Sequence, residues 1–452
     1  MWIKKLILAL SAALTIHAQA QNECPQADVG FSSGCHIFPE NTSQPLGRKV
    51  TLFYEWFGTR SNSLPTIIVI NGGPGGDLRD YIDIVKILPA SGFNILFYDQ
   101  RGTGRSNPLK SEDIGAQYLE NYHTSNNVTD LEELRLKVIG DDQVILLGHS
   151  YGAHIGLAYA AKYPKNVAKI IAANGSADLL GTAMQPYSKK IAVEKILQSI
   201  EPNKLLRFFE VIDSGEALQQ NGEKFAYNDF VAVLRDSIKT YKGQTETVNK
   251  TIELIFSQQL RNANGEKIKK EIPNDQRQNQ FRISGNKSKN GAIASGLNTV
   301  VNTFIVCHDL APQAAIEYLP QGDSRESLKK FRKQFCENDI QNKYKDEPFD
   351  VKEQLSQIKA PLLLAGGAAD PIIPLEIQIR DYEIVSKANK QVTLLNMENV
   401  GHDFFSENTL CSMGATDLFL RDKLPEGKLN CAAIQPFINA APASLRNELP
   451  RP

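Results

Sequence analysis

Hydrophobic and polar positions fall into a regular alternation of blocks along the first third of the chain. Thr66–Ile70, Asn94–Tyr98, Val144–Leu147 and Val167–Ala173 are short, nearly unbroken apolar runs. Such runs predict strands buried on both faces of a parallel sheet. Between them, Leu78–Leu88 and Val128–Ile139 predict helices, the second with Leu131, Leu134 and Val138 at helical spacing. Lys49–Phe57 alternates and is rich in aromatics, which predicts an antiparallel edge strand. Gln21–Pro45 ahead of it reads as a Cys-, Pro- and Ser-rich lead-in. Strand and helix in turn imply a parallel sheet with crossover helices.

The rhythm stops near Ser176. From 177 to about 350 the chain reads as helices and polar loops, with helical patterns at Tyr187–Ser199, Lys204–Asp213 and Asp229–Tyr241. Arg261–Asn290 is strongly polar and basic, the composition of a solvated loop. The alternation then resumes with a strand at Pro361–Ala365, a helix at Leu375–Lys387 and a strand at Gln391–Asn396. The expected organisation is a sheet domain in two portions, 21–176 and 351–452. A large, mainly helical domain, 177–350, is inserted between them.

One junction carries chemistry. The Val144–Leu147 strand runs into Gly148-His149-Ser150-Tyr151-Gly152, and a small-residue helix follows, ending at Pro164. A G-x-S-x-G triplet alone is weak, because short patterns of common residues recur by chance. Between a strand and a helix it has a mechanism: the turn is sharp enough to exclude flanking side chains, and it holds a serine hydroxyl in the open. The helix N-terminus beneath favours a developing oxyanion.

A serine hydroxyl needs a base, and the base an orienting acid. On such a sheet both are expected on loops after late strands, in the order serine, acid, histidine. Asp370 follows the PLLLAGGAA strand, and His402 follows QVTLLNMENVG. Among seven histidines, His149 lies in the elbow and His154 in the helix after it, while His17, His36 and His123 precede the serine strand and His308 lies in the insertion. His402 is therefore the expected base. The oxyanion requires two backbone donors. These are expected to be the N–H of Tyr151 and that of Gly73, in the loop Asn71-Gly72-Gly73-Pro74-Gly75-Gly76. The Asp99–Ser106 loop reads as structural, with Asp99 and Arg101 paired.

Composition adds bounds. The 452 residues are 42% hydrophobic with net charge -1, so no partner such as nucleic acid or an anionic membrane is called for. Residues 1–20 place Lys4 and Lys5 before a mainly apolar stretch from Leu6 to Ile16, then Ala18-Gln19-Ala20. This predicts a cleavable signal, cut after Ala20, and an exported protein; the stretch is too short for a bilayer of about 30 Å. Six cysteines follow it, and an oxidising compartment favours their pairing. Sequence neighbours suggest Cys24–Cys35, Cys307–Cys336 and Cys411–Cys431 among the possible connectivities. Metal-ligand spacing is absent from the sequence, and the chemistry outlined needs no cofactor.

The order NGGPGG, DQRGTGRS, GHSYGA, GGAADPIIP and VGHDFF resembles that of α/β-hydrolases of the proline iminopeptidase and tripeptidyl aminopeptidase group, over about residues 48–176 and 355–435. The proline iminopeptidases typically carry a histidine before the double glycine, where this chain has Asn71. That departure points to the tripeptidyl-aminopeptidase-like branch. The tail from Thr409 to Cys431 also looks like that branch, with Cys411 and Cys431 outside a helix that precedes Lys423–Gly427. Cys307-His308-Asp309 looks like the Cys-x-Asp of those cap domains. The resemblance implies release of residues or short peptides from free N-termini. A cap carboxylate would meet the substrate ammonium, and Asp309 is a candidate. The substrate would be a peptide or, since the same groups cleave esters, a small ester. A binding protein on a hydrolase scaffold is the reading from another class, and the presence of Ser150, Asp370 and His402 argues against it.

Overall fold

The computed structural model describes residues 24–82, 92–113, 116–177, 201–214, 241–258, 351–370, 372–405 and 409–440, except Thr42, together with a few isolated positions. The expected signal and most of 177–350 lie outside the described residues, and so do Asp309, Cys307 and Cys336.

The described strands form one nine-stranded sheet. They are β1 (Phe31–Pro39), β2 (Lys49–Phe57), β3 (Thr66–Ile70), β4 (Asn94–Tyr98), β5 (Val144–His149), β6 (Val167–Ala173), β7 (Leu362–Gly367), β8 (Val392–Met397) and β9 (Gly427–Asn430), in the order β1-β2-β4-β3-β5-β6-β7-β8-β9. Only the β1–β2 and β2–β4 pairs are antiparallel; the others are parallel. This is the α/β-hydrolase fold, and every strand expected from the apolar runs is present.

The reason those runs are unbroken is visible in β5. Val144 and Leu146 pack on one face with Val128, Leu131, Tyr151 and Ile155. Ile145 and Leu147 pack on the other with Phe97, Leu363 and Phe404. Both faces are buried, so alternation disappears. Helices α1 (Thr124–Leu134) and α2 (Tyr151–Lys162) lie between β4 and β6 in sequence, and α3 (Pro202–Asp213) and α4 (Tyr241–Gln258) lie within the insertion. α5 (Leu375–Ala388) connects β7 to β8, and α6 (Thr409–Leu420) and α7 (Cys431–Ala440) complete the described α-helices of ten residues or more.

Several expectations need correction. β2 is not an edge strand, because β1 pairs along its whole length from Phe31↔Phe57 to Pro39↔Lys49. β1 leaves no clear pattern in the sequence because Phe38 alone among its hydrophobic residues is fully buried. Within Leu78–Leu88 residues 83 and 85–87 lie outside the described ones; the described part opens as a 3₁₀ turn at Leu78–Asp80, entered through Asp77, whose side chain accepts from the Arg79 N–H. Its first N–H goes instead to Asp99, at 2.7 Å. Asp99 and Arg101 do not pair. Arg101 turns inward to grip both oxygens of Asp130, at 2.6 and 2.5 Å. Asp99 also accepts the Arg105 N–H at 2.8 Å. Burial pushes the Asp99 carboxyl up to about 7, against those hydrogen bonds.

Cys24–Cys35 and Cys411–Cys431 are disulfide-bonded. The first ties the lead-in to β1. The second joins α6 to α7, and Cys411 sits inside α6, not outside it as expected. β9 and α7 follow the Pro425 turn without a sequence expectation for either. Among the described residues, no helix is long and apolar enough to cross a membrane.

Candidate active site

Ser150 stands between β5 and α2 with φ 56° and ψ -123°, a backbone state that a non-glycine residue adopts only when its surroundings impose it. Here the surroundings are close. A Cβ on Gly152 would lie 2.0 Å from the Ile70 carbonyl oxygen, so the start of α2 is pressed onto the end of β3. The Ser150 N–H is fixed to the Ala173 carbonyl at 2.9 Å. β3, β5 and β6 thus hold the serine at their C-terminal ends, where ligands meet an open sheet of this kind.

His402 and Asp370 arrive from the loops after β8 and β7. His402 Nε2 lies 3.0 Å from Ser150 Oγ, and His402 Nδ1 lies 2.8 Å from Asp370 Oδ2. A carboxylate only accepts, so Nδ1 carries the proton and Nε2 presents its lone pair to the serine hydroxyl. Asp370 is held by further donors. Its Oδ1 accepts the N–H groups of Ile372 and Ile373 at 2.8 and 3.0 Å, and its Oδ2 accepts Asn174 Nδ2 at 2.7 Å. Asn174 had no place in the sequence reading. Its only signal was an Asn-Gly pair directly after β6.

The glycine loop lies against the serine. A Cβ on Gly72 would meet Ser150 Cβ at 3.0 Å and the His149 carbonyl oxygen at 2.9 Å. The Gly72 N–H donates to Tyr81 Oη at 3.0 Å, whereas among the described hydrogen bonds none uses the Gly73 N–H. Gly73 is exposed on the loop. Tyr151, whose backbone opens α2, is buried; its hydroxyl meets Thr124 Oγ1 at 3.0 Å and accepts from Asn127 Nδ2 at 3.1 Å. A hydroxyl, a base with its lone pair aimed at it, a buried acid and a nearby glycine loop can together activate an oxygen nucleophile and stabilise an oxyanion. Among the described residues, no group of three His, Cys, Asp or Glu side chains is placed to hold a metal ion.

The family model described as "alpha/beta hydrolase fold" matches residues 65–409, most of the chain. The chain belongs to the α/β-hydrolase fold family. Part of this α/β hydrolase is similar to proline iminopeptidases. That of Saccharolobus solfataricus is 28% identical over 205 residues, 44% of this chain and 61% of that protein. That of Thermoplasma volcanium is 34% identical over 114 residues, 25% of this chain and 36% of that protein. That of Aeromonas sobria is 30% identical over 173 residues, 34% of this chain and 41% of that protein. The aligned part of the α/β hydrolase spans less than two thirds of the length of each.

Proposed function

We propose that the protein is a serine hydrolase that releases residues or short peptides from free peptide N-termini. The observation that carries the hydrolase reading is the unbroken line Ser150 Oγ–His402–Asp370, at 3.0 and 2.8 Å. In this mechanism His402 Nε2 takes the Ser150 proton as Oγ attacks the substrate carbonyl. The N–H groups of Gly73 and Tyr151 receive the oxyanion. His402 then gives the proton to the leaving amine, and water releases the acyl group by the same steps in reverse order of proton transfer. Asp370 keeps the imidazole in the required tautomer.

The aminopeptidase reading rests on partial similarity to proline iminopeptidases. It also rests on the placement of the insertion, 177–350, which we take to be a cap. One described residue of it, Asn298, is bonded beside the glycine loop: its N–H donates to the Gly75 carbonyl at 2.7 Å, and its Nδ2 donates to the Leu109 carbonyl at 2.8 Å. A carboxylate of the cap, with Asp309 the candidate, would pair with the substrate α-ammonium. A desolvated ammonium without such a partner would cost several kcal/mol. Export through the N-terminal segment belongs to the same proposal, and the two described disulfides suit it.

One comparison tests the proposal. The same peptide is assayed with a free and an acetylated N-terminus, on enzyme whose Ser150 labelling by a fluorophosphonate has been measured. Acetylation is expected to lower kcat/KM by orders of magnitude. Equal values for the two peptides would refute N-terminal recognition and favour an esterase or endopeptidase. A protein that does not label would be a binding protein on this scaffold.

A further inference from the structure

His149 performs no proton transfer in the proposed reaction, yet both ring nitrogens are engaged. Its Nε2 lies 2.7 Å from the backbone carbonyl oxygen of His402. Its Nδ1 lies 2.8 Å from Tyr81 Oη, and Tyr81 Oη accepts the Gly72 N–H at 3.0 Å. These contacts have only one consistent sense. A carbonyl can only accept, so Nε2 carries the hydrogen. In a neutral imidazole Nδ1 is then the acceptor, and the Tyr81 hydroxyl must donate to it. The Tyr81 oxygen keeps lone pairs for Gly72. The chain runs Gly72 N–H to Tyr81 O–H to His149 Nδ1, then His149 Nε2–H to the carbonyl of His402.

Burial supports this arrangement. It lowers the pKa of His149 to about 4, with the nearby His402 ring acting in the same direction, and it keeps the Tyr81 phenol protonated. His149 is thus neutral, and an acceptor at Nδ1, over the whole range in which a histidine base works.

We infer that Tyr81 and His149 are positioning residues that tie the glycine loop to the backbone of His402 across the back of Ser150. The inference rests on the serine hydrolase reading. The tie does two things. It turns the Gly72 N–H away from the serine, which leaves Gly73 as the loop's donor to the oxyanion. It also holds the His402 carbonyl, so the ring that must reach both Asp370 and Ser150 has a fixed root. The oxyanion donor and the base then keep their separation during the reaction, when a misplacement of about 1 Å can cost about a hundredfold in rate.

The test is Tyr81→Phe, which removes the hydroxyl and little volume, with kcat expressed per site titrated by a fluorophosphonate. We expect kcat to fall about tenfold or more with KM changed less than about threefold. Binding of a peptide boronate, whose adduct fills the oxyanion site, should weaken by a similar factor. His149→Gln can keep a donor for the His402 carbonyl but not the acceptor for Tyr81, so it breaks the same bond from the other side. The double variant should therefore be no slower than the slower single variant. Nitrogen NMR of wild-type imidazoles should show one neutral ring protonated at Nε2 down to about pH 5, independent of whether either variant folds. Per-site kcat within twofold of wild type in Tyr81→Phe, multiplicative effects in the double variant, or His149 protonated at Nδ1 would each overturn the inference. Wild type that neither labels nor hydrolyses would overturn the hydrolase reading as well.

Discussion

Asn174 stands between Asp370 and the chain that carries His402. Its Nδ2 donates to Asp370 Oδ2 at 2.7 Å and to the Gly401 carbonyl at 3.0 Å. Its backbone is left-handed, with φ 42°, and its N–H is held by the Ala365 carbonyl at 2.7 Å. One amide group thus fixes Asp370 and the residue before His402. Asn174→Ala should lower kcat about tenfold, through loss of a charge-assisted hydrogen bond to a buried carboxylate. Asn174→Asp should be worse, since a second carboxylate would face Asp370. Steady-state kinetics on the two variants check the order; an Asp variant as active as the Ala variant would contradict it.

Ser150→Ala, His402→Ala and Asp370→Asn are each expected to lower kcat by a factor of about 10³ or more. In the proposed mechanism the three act as one unit, so Ser150→Ala combined with His402→Ala should be little slower than either alone. An Asp370→Asn enzyme within a few-fold of wild type would show that another group orients His402.

Acid stability should carry a signature of His149. Its folded pKa, about 4, lies below the unfolded value of about 6.5. The unfolded chain therefore binds the extra proton first, and stability is lost as pH falls from about 6.5 towards about 4. The loss from this group is about 3 kcal/mol at most. His149→Gln should flatten that part of the stability profile. Urea unfolding at pH 7, 6 and 5 would test this, and parallel profiles for wild type and variant would count against it.

Replacing Cys411 and Cys431 together by serine should destabilise the protein by about 3 kcal/mol, since the bridge closes a loop of 20 residues. The α6–α7 corner it clamps lies on the sheet face away from α2, so kcat per titrated site should stay close to wild type. Thermal unfolding with and without reductant, alongside activity, separates the two effects.

The parts of the site legible in the sequence are those with a local cause. The elbow at Ser150 demands small neighbours within two residues, and β5 announces itself as an apolar run because both its faces are buried. Asp370 and His402 followed from their order along the chain and their places after strands. Asn174, Tyr81 and His149 were not legible in their roles, because those roles are made by distance in sequence. Asn174 lies 196 residues from Asp370, and Tyr81 lies 68 from His149. The Asp99–Arg101 pairing failed for a related reason. Two charges in one short loop invite pairing on paper, but Asp130 on α1 offers Arg101 a bidentate partner that only the folded chain supplies. β1 was missed because its nine residues are mostly half-exposed and lack a clean alternation.

β6 and β7 pair directly, from Ile170↔Leu362 to Ala173↔Ala365, although the whole insertion lies between them in the chain. The entropic cost of closing such a loop grows only with the logarithm of its length, about 0.6 kcal/mol per doubling. A longer or shorter insertion would therefore change the stability of the sheet little. The burden falls on kinetics, because a pairing so distant in sequence forms slowly. This address in the sheet can accept new chain segments while the strands that lead to Ser150, Asp370 and His402 stay as they are.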